Sequence, residues 1–203
     1  MDNKPQKRIA AHSELNNKKK QVDFNHQPIK DYHYHPKELV SLRKFPKNCS
    51  EDDINSMFKR YNFFDCGRNE KGIFNNTLEP ETINNDKVIR SHSTGLMWHQ
   101  SGSIEPMEWY DGDEWLSKLN GDAYAGYSDW RLPTVEEAAS LMKERENNMA
   151  LFIDPCFSNQ QANIWTCDSH GMYLAWKARF TYGHVYLQYA SCDIYFRTVR
   201  SCK

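Results

Sequence analysis

A chain of 203 residues has room for one well-filled core with an appendage, or for two small domains. A formal net charge of -1 supplies no global field toward nucleic acid or anionic membrane, and no run approaches the roughly 20 apolar residues of a membrane span. The hydrophobic fraction is 39% but aromatics reach 13%, which implies a loop-rich fold whose rings supply much of the buried area.

The opening Met1-Asp2-Asn3-Lys4-Pro5-Gln6-Lys7 has no apolar run behind its charges and so no signal peptide, giving the expectation of a cytoplasmic or virion-associated protein. The cysteines are Cys49, Cys66, Cys156, Cys167, Cys192 and Cys202. Without a secretory signal they read as reduced, small apolar side chains, with a disulfide framework as the alternative. There is no CxxC and no close His–Cys spacing, so no metal and no cofactor are expected.

In chain order, residues 1–47 are polar and Lys- and Asn-rich without apolar periodicity, and read as a flexible arm. Lys18-Lys19-Lys20 reads as a solvated tail rather than a nucleic-acid contact, and the His33/His35 pair is set aside as a metal site. Residues 48–84 form a leader. Ser50 caps a helix whose first turn is acidic, and Ile54, Met57, Phe58 and Tyr61 form one apolar stripe that must dock. Asn62 to Gly72 lacks the closing Glu of a calcium loop and reads as a plain loop.

From residue 85 to 203 short β-prone runs and turns alternate. Lys87 to Arg90 and Gly95 to Trp98 are expected strands, and Glu108 to Asn120 a helix weakened by Gly112. Thr134 and Glu137 form a capping box that opens a helix, with Val135, Ala138, Ala139 and Met142 on its buried stripe. Strands are then expected over 164–167, 174–180, 184–189 and 194–199, with Thr181-Tyr182-Gly183 as a hairpin turn. Period two places Trp176, Ala178 and Phe180 inward with Lys177 and Arg179 outward. On the next strand it places Val185 and Leu187 inward, leaving His184, Tyr186 and Gln188 outside.

Thr94-Gly95-Leu96-Met97-Trp98 and Gly126-Tyr127-Ser128-Asp129-Trp130-Arg131-Leu132-Pro133-Thr134 resemble the two signature motifs of the Lcl C-terminal domain family. Trp165, Trp176 and Tyr195-Phe196-Arg197-Thr198-Val199-Arg200 follow in the family's order, so the resemblance covers about residues 85–203. Trp165-Thr166-Cys167 departs from the usual Trp-Ser-Ser or Trp-Ser-Ala. The resemblance implies an α+β, C-type-lectin-like domain of two helices, a short twisted antiparallel sheet and long loops. It also implies ligand display, and a likeness to retroelement-diversified variable proteins and to the formylglycine-generating-enzyme group.

Within this frame Trp98, Asp129, Trp130, Arg131, Pro133, Thr134, Trp165 and Trp176 read as structural, with Arg131 pairing a nearby carboxylate such as Asp129 and Arg197 and Arg200 serving further internal ion pairs. The candidate ligand-binding set is Asp168, His170, Tyr173, Lys177, Arg179, Tyr182, His184, Tyr186, Gln188, Tyr189 and Asp193. Tyrosine gives contact area at low entropic cost, while Gln, Asp and Lys give directional hydrogen bonds. A calcium cage is not expected near the last strands, and no nucleophile elbow, phosphate loop or HExxH occurs. The expected function is therefore non-enzymatic binding of a protein or glycan. A cysteine-using oxidase, with Cys167 and Cys192 facing each other, and an intracellular adaptor are the alternatives. Oligomeric state is left open.

Overall fold

The computed structural model describes residues 39–145 and 150–202. Most of the arm, with Lys18-Lys19-Lys20, His33 and His35, lies outside the described residues. Helix α1 spans Glu51–Tyr61. The Ser50 hydroxyl accepts the Asp53 N–H at 3.2 Å, while the Asp53 carboxylate accepts the Ser50 N–H at 2.8 Å, so two orphan donors of the first turn are satisfied reciprocally. The helix stops at Asn62 in the left-handed region, and Ile54, Met57 and Phe58 of its expected stripe are buried in the main core.

Strands β1 (Leu78–Ile83), β2 (Asp86–Ser91), β3 (Leu96–His99) and β7 (Val199–Ser201) form a four-stranded antiparallel sheet in that order. Asn84 and Asn85, both at positive φ, make the tight β1–β2 turn. The sequence left β1 unassigned because Pro80 and two glutamates are poor strand formers; at a sheet edge they are tolerated. The boundary drawn at residue 85 falls in this turn, so leader and C-terminal region share one sheet. The strand expected over 194–199 is corrected. Ile194 and Tyr195 make isolated bridges to Met107 and Ile164, and regular pairing begins only at Val199 as the chain crosses from one sheet to the other.

A second antiparallel sheet has the order β4 (Asn163–His170), β5 (Leu174–Arg179), β6 (His184–Tyr189). Gly183, at φ +67°, closes the expected β5–β6 turn. The helix expected over 108–120 is a 3-10 turn, Trp109–Asp111, leading into α2, Gly112–Gly121. Gly112 is a packing requirement there: an added Cβ would lie 2.9 Å from the Phe196 ring. Helix α3, Val135–Ala139, carries the expected Thr134–Glu137 box and is only five residues long. Its continuation, Met142, bridges Ile153 instead.

The main core lies among α1, α3, β3 and the inner face of β4–β6, with Trp98 and Trp176 fully buried. Trp165 points to the other face of the second sheet, into a cluster with Leu132, Ala175, Ile194 and Phe196. Trp130 packs beneath the first sheet against Val88 and Met97, its indole N–H donating to the Tyr124 carbonyl at 2.9 Å.

One buried carboxylate joins these parts. Asp168 sits where the β4–β5 register is irregular, and it is fully buried. It accepts from Arg43 Nη1 at 2.8 Å and Nη2 at 2.7 Å, and from the backbone N–H groups of Lys47 and Val135, each at 2.7 Å. Arg43 also meets Glu136 through its backbone N–H at 2.9 Å, and its carbonyl accepts the Thr134 hydroxyl at 2.9 Å. Residues 39–47, read from sequence as the end of the arm, thus include an integral strap. Removing one partner of a buried charged set leaves the other uncompensated. Asp168→Ala is expected to cost about 3–5 kcal/mol in urea unfolding; a cost near that of a surface substitution would contradict the role given to it.

His99, on β3, is buried and its ring stacks on Tyr124 at 4.1 Å. Burial, reinforced by the positive charge of Arg197, lowers its pKa to about 4. The unfolded chain binds this proton at a higher pH than the folded one, so stability is full above about pH 6.5 and falls toward pH 4. His99→Gln is expected to flatten the dependence of the melting temperature between those limits; an unchanged slope would contradict it.

Candidate functional site

Strand β5 is central in its sheet and β6 is an edge, so the β5–β6 hairpin has one face on the core and one open to solvent beyond the Trp165 cluster. Trp176, Ala178, Val185 and Leu187 take the inner face, as period two requires. On the outer face Lys177 lies opposite Tyr186, and Arg179 opposite His184.

These outer side chains form a connected ladder. The Arg179 guanidinium lies 4.0 Å from the centre of the Tyr182 ring and donates to the Tyr186 hydroxyl at 2.8 Å. Lys177 Nζ sits 4.6 Å from the centre of the same Tyr186 ring and donates to Gln188 Oε1 at 3.2 Å. The Gln188 amide in turn donates to Cys192 Sγ at 2.9 Å. Among the described residues no carboxylate pairs with Lys177 or Arg179. Both cations are held by aromatic faces and neutral acceptors alone, an arrangement worth about 0.5–2 kcal/mol per contact.

Tyrosines stand exposed at both ends of the hairpin. Tyr182 is at the β5–β6 turn; Tyr173 and Tyr189 are at the other end, joined by the Ala190 N–H to Tyr173 carbonyl bond of 2.9 Å. Met172 and Tyr110 extend this second end, the Tyr110 hydroxyl donating to the Met172 carbonyl at 2.8 Å. Tyr110 and Met172 carry no sequence signal for this face, and Cys192, weighed from sequence only as a partner of Cys167, joins it through Gln188. Tyr110 lies 62 residues from its partner and was counted as part of a helix.

The remaining expected residues distribute differently. Asp168 leaves the ligand-binding set, because its oxygens are fully committed inside the protein. Lys177 is 7% exposed rather than open, its stem covered by the rings and chains around it. His170 is exposed, yet its Nδ1 bonds the Cys49 carbonyl at 2.9 Å and ties the leader down. His184 turns to Asp65, 3.4 Å away, a fully buried carboxylate that also accepts the Val185 N–H at 3.0 Å at the edge of β6. Asp193 is exposed beyond the hairpin. Arg179, Tyr182, Tyr186, Gln188 and Tyr173 stay together on or at the ends of the face, whereas Tyr189, opposite Leu174, alternates to the side of Leu187 and Trp176.

The arginine pairings are corrected as well. Arg131 bonds Glu137 through two contacts of 2.7 and 2.5 Å, and Asp129 pairs instead with Arg200 at 2.6 Å, whose guanidinium covers Tyr127. Arg197 is fully buried, without a carboxylate among the described residues. It donates to the carbonyls of Ser101 at 2.8 Å and Ser158 at 2.9 Å and lies over Phe157. Burial lowers its pKa to about 9.

A family model described as the Lcl C-terminal domain matches residues 87–200, more than half of the chain. The chain belongs to this family. No curated protein matches it. The Lcl C-terminal domain match takes in Asp168, α3 and the whole β5–β6 face; Arg43, α1 and β1 precede it but share its core and sheets.

An unpaired, nearly buried cation is a cost to folding. Lys177→Met keeps the length and removes the charge, so the urea midpoint is expected to stay level or rise. A loss above about 1 kcal/mol would show that Lys177 is instead a net structural contributor.

Proposed function

We propose that this protein is a non-enzymatic ligand-binding module whose β5–β6 face engages a protein or a glycan. The observation that carries the reading is the ladder itself: two cations without carboxylate partners among the described residues, held by Tyr182, Tyr186 and Gln188 and flanked by exposed tyrosines. A face pre-ordered by internal contacts loses little conformational entropy on binding. Rings supply contact area, and the guanidinium and ammonium supply directional donors for carbonyl, hydroxyl or carboxylate oxygens.

In this reading the two small sheets and three helices are a C-type-lectin-like scaffold, and recognition proceeds without calcium. A cytoplasmic or virion-associated location goes with it. Among the described residues no helix is long and apolar enough to cross a membrane. The cysteine-oxidase alternative draws no support from Cys167, whose thiol is pushed well above the usual range by burial and by neighbouring Asp168 and Glu137. Such chemistry needs a lowered thiol pKa.

The test is a screen of the purified chain on glycan and protein arrays, with and without EDTA and at two salt concentrations. A hit that resists EDTA, weakens in high salt and drops at least roughly tenfold in a Tyr182→Ala/Tyr186→Ala double variant is expected. Binding left intact in that folded variant, or lost with EDTA, would overturn the assignment.

A further inference from the structure

A groove of about 530 Å³ opens where the residues after β3 meet α2 and the segment near Gln161, and it shares no lining residue with the β5–β6 face. Its size falls within the usual range for small-ligand sites, about 300–1,000 Å³. Trp115 lines it, partly exposed and stacked on Phe196 at 5.8 Å, beside the stacked pair of His99 and Tyr124.

The polar groups of this groove have settled donor and acceptor roles. His99 Nδ1 accepts the backbone N–H groups of Ser101 at 3.2 Å and Gly102 at 2.9 Å. The neutral ring must therefore carry its proton on Nε2, and that N–H has no partner among the described residues while remaining open to solvent. Gly102 is required for this turn, since its φ is +126° and an added Cβ would meet the Phe196 carbonyl oxygen at 2.1 Å. Gln161, 1% exposed, donates through Nε2 to the Ser103 carbonyl at 2.8 Å, and its Oε1 is a buried acceptor without a partner among the described residues. The Ser103 hydroxyl oxygen accepts the Phe196 N–H at 3.0 Å, which leaves its hydrogen to donate.

Beneath, Arg197 holds the carbonyls of Ser101 and Ser158, one from each wall, and so acts as a positioning residue. The two charged residues lining the groove, Asp86 and Lys87, have opposite signs, and the Arg197 charge beneath is turned onto the two wall carbonyls. An aromatic platform, a fixed neutral donor, a hydroxyl and an unsatisfied amide oxygen together suit a ring bearing hydroxyls on its edge and C–H groups on its face.

We infer that this groove is a second binding site, for an uncharged sugar ring that rests on Trp115 and hydrogen-bonds the His99 Nε2–H and the Gln161–Ser103 wall. Saturation-transfer NMR on the full chain, with methyl glucoside, methyl galactoside and N-acetylglucosamine as probes and glucuronate as the charged comparator, tests it. At least one neutral probe should receive saturation and move the His99 ring signals in the unmodified protein. Trp115→Leu should weaken that probe roughly tenfold with circular dichroism unchanged. His99→Gln, which retains a donor and an acceptor, should weaken it less. No transfer to any neutral probe, binding of glucuronate alone, or transfer with the His99 signals unmoved would each overturn the proposal.

Discussion

The carboxylate of Asp168 is the constraint on which the rest of the structure depends. Four donors from two separated segments converge on its two oxygens: the Arg43 fork and Lys47 N–H of the strap, and the Val135 N–H at the start of α3. A carboxylate withdrawn from water is tolerable only with this degree of satisfaction. Its position in the irregular stretch of β4 lets it face both the strap and α3. Asp65 repeats the device at the edge of β6, accepting the N–H groups of Gly67, Arg68 and Val185. The second sheet is thus fixed by buried acids contributed at both of its outer strands.

That arrangement bears on function through what it leaves unpaired. Acidic side chains are drawn inward or toward neighbouring arginines: Asp168 to Arg43, Glu137 to Arg131, Asp129 to Arg200 and Glu81 to Arg90. Among the described residues Lys177 and Arg179 receive none and are held by Tyr182, Tyr186 and Gln188. A surface optimised for stability alone would neutralise or replace Lys177, which is almost buried. Its place within an aromatic ladder is the physical reason to regard the face as a binding surface.

Features written in local sequence were legible. The Ser50 and Thr134 caps, the α1 stripe, the Gly183 turn and the inward alternation of Trp176, Ala178, Val185 and Leu187 all follow from neighbours a few residues apart. The Lcl C-terminal motif was legible for the same reason. What could not be read was long-range partnership. Asp168 resembles any polar strand residue until Arg43, 125 positions away, closes on it. Arg131 had Asp129 two positions away in sequence, yet the capped start of α3 brings Glu137 to Arg131, and β7 brings Arg200 to Asp129. Edge strand β1 and the sheet-switching run through Ile194 lack a propensity signal because their pairing is imposed by the sheets around them. The exposed pair of Tyr110 and Met172 belongs to the candidate face only through folding.

The most direct measurement of the central claim is side-chain chemical-shift mapping of the whole chain against a ligand selected on the arrays. Tyrosine rings, lysine Nζ and arginine guanidinium groups would be labelled. The expected result is movement at Tyr186, Arg179 and Lys177, graded toward Tyr182 and Tyr173, with the Arg43 guanidinium on Asp168 unmoved. Shifts confined to another part of the surface, with the ladder silent, would contradict the account.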